Sequence, residues 1–275
     1  MKTTPSVKVN YEVIADSYDA RYTLPADQEP RGQVLIELAA RIHAQRILEV
    51  GCGTGHWLSG LVPTGAQLTG LDLSMGMLNQ TRKRQQCIRV VQASATALPL
   101  RTEAFDLIYC VDAIHQFEDK AQFLREAYRL LRPGGSLAVM GSDPHRGDVV
   151  WFAYDFFEGI REQDLQRFVS HSQLQSWMTL IGFTGIESRQ VDVIGGPRFG
   201  REILNDLFLQ KKSSSQLALL SEENYHAGVE KIKAAIAAAE ARGETVIFKS
   251  TWPARMITAV KPPAGEQPDL ANGVN

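Results

Sequence analysis

Long apolar runs are missing from this 275-residue sequence. No stretch approaches the roughly 18 to 20 residues that cross a bilayer, so no membrane partner is expected. The first ten residues are polar and lack the apolar centre of a secretory leader. Cysteine is scarce, with Cys52, Cys87 and Cys110 at irregular spacing. That argues against a disulfide framework and for a reducing, cytoplasmic location. The six histidines form no HxxxH or HExxH pattern, so no metal site is expected. Excess charge is absent too. A formal net charge of −2 leaves no electrostatic footprint for nucleic acid, and the one basic cluster, Arg82-Lys83-Arg84, reads as the solvated face of a helix.

What is present is an alternation. Arg46-Ile47-Leu48-Glu49-Val50 is a short apolar run that stops at glycine, the pattern of a buried strand. Further strands are expected at 67–71, 88–92, 105–111 and 136–140, with helices at 32–44, 54–61, 74–84 and 119–131 between them. Strands alternating with helices build a parallel sheet covered on both faces. Ligands in such sheets bind at the carboxyl ends of the strands. Beyond residue 141 the rhythm changes. An aromatic helix is expected over 151–168, helices at 174–181, 201–210 and 222–241, and strands at 186–193 and 245–260.

Chemistry concentrates at Gly51-Cys52-Gly53-Thr54-Gly55, directly after the first strand. Glycines let the chain turn sharply and let a ligand approach the backbone, and the following helix aims free amides and its positive end there. The dinucleotide fingerprint Gly-x-Gly-x-x-Gly would need a third glycine where His56 stands. Asp72, ending the second strand, is placed to bond two ribose hydroxyls; capping the next helix is its plain alternative.

Four motifs in order carry a resemblance. They are Ile47-Leu48-Glu49-Val50-Gly51-Cys52-Gly53-Thr54-Gly55; Gly70-Leu71-Asp72-Leu73-Ser74 with Met77-Leu78; Ala97-Leu98-Pro99-Leu100 with Phe105-Asp106-Leu107-Ile108; and Leu130-Leu131-Arg132-Pro133-Gly134-Gly135. Over residues 35–142 the chain resembles the class I S-adenosylmethionine-dependent methyltransferases, in the branch typified by ubiquinone/menaquinone biosynthesis C-methyltransferases. The resemblance implies a doubly wound, Rossmann-like α/β fold with a mostly parallel seven-stranded sheet and a helical cap. It implies S-adenosyl-L-methionine as cofactor, with Glu49 at its amino end and Gly51, Gly53 and Thr54 along its methionine part. Asp72 would take the ribose, Leu73 and Met77 the adenine, and the Val111 main chain the methionine amine. Where the family has an Asp-Ala pair at the adenine, this chain has Ser94-Ala95; a serine hydroxyl still accepts a hydrogen bond.

Past the fourth strand, His115 is the candidate catalytic base, since histidine titrates near neutrality. Shaping the pocket is the alternative. Tyr11, Tyr18 and Tyr22 are candidates to lid the cofactor, Tyr22 foremost, because aromatic faces attract a sulfonium. Arg31 reads as exposed, with the cofactor carboxylate as its alternative partner. Trp151, Tyr154 and Phe157 are the candidate acceptor-binding residues, although an aromatic stripe also suits a core.

The expected organisation is a lid segment (1–34), a cofactor-binding core (35–142), remaining core elements and a helical cap (143–243), a final strand (244–261) and a disordered tail (262–275). The expected activity is methyl transfer to an O, N or C nucleophile of a small molecule. A nicotinamide-dependent oxidoreductase and a non-catalytic binder on the same scaffold are the alternatives.

Overall fold

The computed structural model describes residues 9–211 and 214–265. Most of the expected tail and the polar amino terminus lie outside the described residues. In chain order the helices and strands are α1 (Tyr11–Ile14), α2 (Pro30–Arg41), β1 (Arg46–Val50), α3 (His56–Leu61), β2 (Gln67–Asp72), α4 (Met75–Arg84), β3 (Arg89–Gln92), β4 (Phe105–Val111), α5 (Lys120–Leu130) and β5 (Leu131–Gly141). Then follow β6 (Val150–Trp151), α6 (Ala153–Phe156), α7 (Ile160–Arg167), α8 (His171–Ile181), β7 (Thr184–Ile194), β8 (Arg198–Phe199), α9 (Ser215–Ala218), α10 (Glu222–Ala241), β9 (Ile247–Phe248) and β10 (Ser250–Val260). The chain divides into two compact units. Tyr11–Ser142, Val169–Asp192 and the chain from Ala254 form a sheet unit; Asp143–Phe168 with Val193–Pro253 form an aromatic unit.

In the sheet unit the strand order is β3-β2-β1-β4-β5-β10, with β7 also paired to β10. β1 to β5 pair in parallel and β10 runs antiparallel to β5. This is the expected seven-stranded, mostly parallel sheet. Because side chains alternate across a strand, β1 feeds both faces. Leu48 and Val50 join Ile108, Phe123 and Val139 in one core. Ile47 joins Leu35, Leu58, Leu107 and Tyr109 in the other. Helix ends carry the expected chemistry: Ser74, Asp119 and Ser221 cap α4, α5 and α10 by accepting the amides of Met77, Gln122 and Asn224. Asp106 accepts the amides of Gln45 and Arg46 and pairs with Arg132 at 2.9 Å, tying the entry of β1 to β4. Strand order reverses on either side of β1, with β2 to one side and β4 to the other. The crevice at its carboxyl end is therefore the natural ligand position.

The aromatic unit corrects two expectations. Residues 151–168 are not one helix; α6 and α7 are separated by Gly159, which takes φ 76°. The segment 201–210 forms 3-10 turns (Gly200–Asn205 and Leu207–Leu209) instead of a helix. Trp151, Phe152, Phe157, Ile160, Ile203, Leu217, Ile232, Ile236 and Phe248 make this unit's own core. Phe157 lies flat against α10: a Cβ added at Gly228 would stand 2.2 Å from its ring.

Within that core sits a carboxylate. Asp164 is fully buried; its Oδ2 accepts the Tyr154 hydroxyl at 3.0 Å, and its Oδ1 is 3.9 Å from Arg167 Nη1. Burial pushes Asp164 up to about 6, against the pull of Tyr154 and Arg167. As pH rises past the ordinary value of 3.8 the unfolded chain loses this proton first, while the folded chain keeps it until about 6. The folded state therefore loses relative stability across that window, by about 3 kcal/mol for a shift near two units. Urea unfolding at pH 4 and pH 7.5 should show this component in the wild type and not in Asp164→Asn. Parallel pH dependence in the two proteins would contradict it.

Candidate functional site

The crevice is built by one turn. Gly51, Gly53 and Gly55 take φ of 76°, 52° and 72°, the left-handed region that side chains resist. The amides of Gly51 and Cys52 donate to Leu71 O at 2.7 and 3.0 Å. Gly53 N–H donates to Asp72 Oδ2 at 2.8 Å, and Ser74 N–H to Oδ1 at 2.9 Å. From below, the buried Thr81 donates its hydroxyl to Gly53 O at 2.9 Å. The turn thus has a closed side and an open one. A Cβ at Gly55 would meet the Thr81 methyl at 2.6 Å, whereas one at Gly53 would find only Tyr18, at 3.9 Å.

Asp72 is half-buried at the tip of β2. Burial raises its pKa, and the amides of Ser74, Gly53 and Leu73 oppose that rise. Each carboxylate oxygen has already accepted one amide and keeps a second lone pair. Beside it Leu73 is exposed, while Met77 is only 1% exposed. Of the two residues expected at the adenine, Leu73 offers surface to a ligand and Met77 belongs to the interior. Ser94 holds Thr96 through hydroxyls 2.8 Å apart, and Ala95 is buried.

Glu49 is the orphan of the site. It is fully buried; one oxygen accepts the Tyr109 hydroxyl at 3.2 Å and Oε1 has no hydrogen-bond partner. Burial drives its pKa well up, with the Tyr109 bond opposing. Glu49 therefore lies in the interior beneath the turn, with its charged form disfavoured by burial. Burial likewise keeps the Cys52 thiol protonated.

The amino-terminal tyrosines take different places. Tyr22 stacks on His56 at 3.6 Å and meets Trp57 edge-on, so it packs behind the turn. Tyr18 is the tyrosine that faces Gly53, with Arg21 3.7 Å over its ring. His56 Nε2 lies 2.9 Å from Glu29; burial and the nearby Arg84 and Arg31 lower its pKa to about 4, so it is neutral near pH 7. Arg31 is not exposed. It is 10% accessible, 2.6 Å from Asp112, 3.1 Å from Asp192 and 3.4 Å from Glu29, with its guanidinium 4.5 Å over Trp57. Arg84 also leaves the solvated face expected of it, pairing with Asp19.

Val111 ends β4 in the interior, and Asp112 follows with φ 48°. His115 sits in the 3-10 turn Ile114–Gln116, half-buried. In the aromatic unit, Trp151 and Phe157 are 5% and 1% exposed and serve that unit's core; Tyr154 is the more open of the three. Asp19 and Arg84 carry no mark in the sequence, because no periodicity signals a long-range ion pair.

Among the described residues no group of histidine, cysteine or acidic side chains could hold a metal, and no helix is long and apolar enough to cross a membrane. Residues 48–139 match the family described as a methyltransferase domain. Among curated relatives, malonyl-[acyl-carrier protein] O-methyltransferase of Enterobacter lignolyticus is 38% identical over 37% of this chain and 41% of its own length. Demethylmenaquinone methyltransferase of Clavibacter sepedonicus is 25% identical over 69% of this chain and 87% of its own. The chain spans about half the length of the first relatives it matches. Haemonchus contortus phosphoethanolamine N-methyltransferase 2, solved with S-adenosyl-L-methionine, shares the fold: TM-score 0.51 at 18% identity, over 94% of this chain and 61% of that one.

The two sides of the turn should respond differently to a methyl group. Gly53→Ala should cost about 1–2 kcal/mol, the strain of a left-handed residue. Gly55→Ala should cost more, because the Thr81 clash adds about 1–3 kcal/mol of overpacking. Thermal melts of the two variants measure this; equal losses would mean that the turn is not closed by Thr81.

Proposed function

We propose that this chain, whose residues 48–139 form a methyltransferase domain, moves a methyl group from S-adenosyl-L-methionine to an O, N or C nucleophile of a small molecule. The observation that carries the reading is the open face at Gly53, bounded by the Asp72 carboxylate and the Tyr18 ring. The residues fit the cofactor: a backbone with no Cβ, a carboxylate with lone pairs to spare, an exposed Leu73, and an orphaned Glu49 oxygen beneath. When bound, the cofactor supplies an electrophilic methyl on a sulfonium.

The chain's own part is mainly to position reactants, which by itself can lower a barrier by several kcal/mol. The backbone of Gly51, Gly53 and Thr54 lines the methionine part, and the Val111 main chain its amine. Asp72 accepts from the ribose hydroxyls while its amide bonds hold it still. Leu73 supports the adenine, with Ser94 and Ala95 at its edge. Tyr18 sets an aromatic face toward positive charge. His115 takes the proton of an ionisable nucleophile. Tyr154 is the acceptor-side candidate.

Relatives named for malonyl-[acyl-carrier protein] and demethylmenaquinone support a small or carrier-borne acceptor. A net charge of −2 supports one other than nucleic acid. Free thiols at Cys52, Cys87 and Cys110 support the cytoplasm. A nicotinamide cofactor is not favoured, because the third fingerprint position is His56, buried and stacked on Tyr22.

Calorimetry with S-adenosylhomocysteine should show saturable binding, lost in Gly53→Val and weakened tenfold or more in Asp72→Ala, about 1.4 kcal/mol. Binding of NADH, or no binding of S-adenosylhomocysteine, would refute the reading. Once an acceptor is found by screening pooled metabolites with labelled cofactor, His115→Ala should lose roughly 10²–10⁴ in rate, with partial recovery at high pH. A small, pH-independent loss would reduce His115 to shaping the pocket.

A further inference from the structure

The segment from Tyr11 to Pro25 lies across the cofactor-binding elements with little apolar burial of its own; within it only Ile14 and Ala15 are buried. Polar contacts hold its earlier part, while Tyr22, near its end, stacks on His56. Glu12 accepts Gly76 N–H at 2.8 Å near the start of α4, and Asp16 accepts from Gln80. The third contact is a closed ring joining three elements. Asp19 Oδ1 accepts the Thr54 hydroxyl, Asp19 Oδ2 accepts Arg84 Nη2, and Arg84 Nε returns to Thr54 O at 3.2 Å. Thr54 belongs to the glycine turn and Arg84 ends α4, while Asp19 directly follows Tyr18 in the 3-10 turn Tyr18–Arg21.

We infer that Asp19 is a positioning residue: with Arg84 it latches this strap to Thr54 and holds the Tyr18 ring over the open face at Gly53. The inference rests on the cofactor reading above. Cofactor exchange then requires the latch to open. The partners are 42% and 27% exposed, so salt screens their attraction and the latch is reversible. An apolar hinge in the same place would be insensitive to salt.

Two measurements on the full chain test this. The first is the rate of trypsin cleavage at the Arg21–Tyr22 bond, followed by mass spectrometry without cofactor at 0.05 and 0.5 M NaCl. The second is the dissociation rate of S-adenosylhomocysteine by stopped-flow fluorescence. Asp19→Asn and Arg84→Gln should each raise both rates about fivefold or more, and the rise with salt seen in the wild type should disappear. Arg84→Lys should restore part of that salt dependence, and Asp27→Asn, an exposed carboxylate outside the ring, should change neither rate. Melting midpoints near the wild-type value establish that the variants are folded; if one fails, the other carries the test.

Cleavage that is indifferent to salt and to both substitutions would overturn the latch. Faster cleavage with unchanged dissociation would overturn its role in positioning. A wild type that binds no S-adenosylhomocysteine would refute the cofactor reading, and the cleavage arm alone would then judge the latch.

Discussion

One hydrogen bond organises the site: the Gly53 amide on Asp72 Oδ2. It ties the turn after β1 to the tip of β2, and the Leu71 carbonyl reinforces it by accepting from Gly51 and Cys52. With its other oxygen on Ser74 N–H, Asp72 is fixed at both ends before any ligand arrives. A carboxylate held in this way loses little freedom on meeting a pair of hydroxyls, which is the physical content of preorganisation. The same bond orients the Gly53 peptide, and so decides which side of the turn stays open.

Around that bond the molecule separates rigid support from adjustable cover. Below the turn are Thr81, Glu49 and Cys52, all buried. Above it are Tyr18 and a strap held by exposed or half-exposed polar groups. A further polar set is the Arg31 cluster, where three carboxylates surround one guanidinium stacked on Trp57. Arg31 itself is 10% accessible while Asp112 is 41% exposed, so the guanidinium depends on its partners more than Asp112 depends on it.

The core was readable in the sequence wherever local pattern and packing agree. The apolar run 46–50 ending in glycine, the strand–helix alternation to residue 141, and α10, which occupies Glu222–Ala241 as expected, all follow from periodicity and capping. Readings failed where a distant partner decides. The aromatic stripe that holds Phe157 suits a core by composition, but only Gly228, far along the chain, shows what receives its ring. The stretch 151–168 has helical composition, yet Gly159 breaks it. Tyr18 and Tyr22 look interchangeable in sequence, and only the stacking of Tyr22 on His56 separates them. Met77 has the same one-dimensional signature whether it faces a ligand or the interior.

The division into units bears on how the chain folds. The aromatic unit's two segments, Asp143–Phe168 and Val193–Pro253, are each an excursion that leaves the sheet unit and returns to it. β5 leaves before the first excursion, and its antiparallel partner β10 pairs with it from Arg255 onward, after the second. During synthesis the parallel strands can assemble early, but the edge of β5 waits until more than a hundred residues later for its neighbour. Loop closure over such a length costs only logarithmically more free energy than a short one, but long-range pairing slows folding. A nascent chain of this protein therefore carries an unpaired strand edge, the feature that most invites association with another chain, until its last strand arrives.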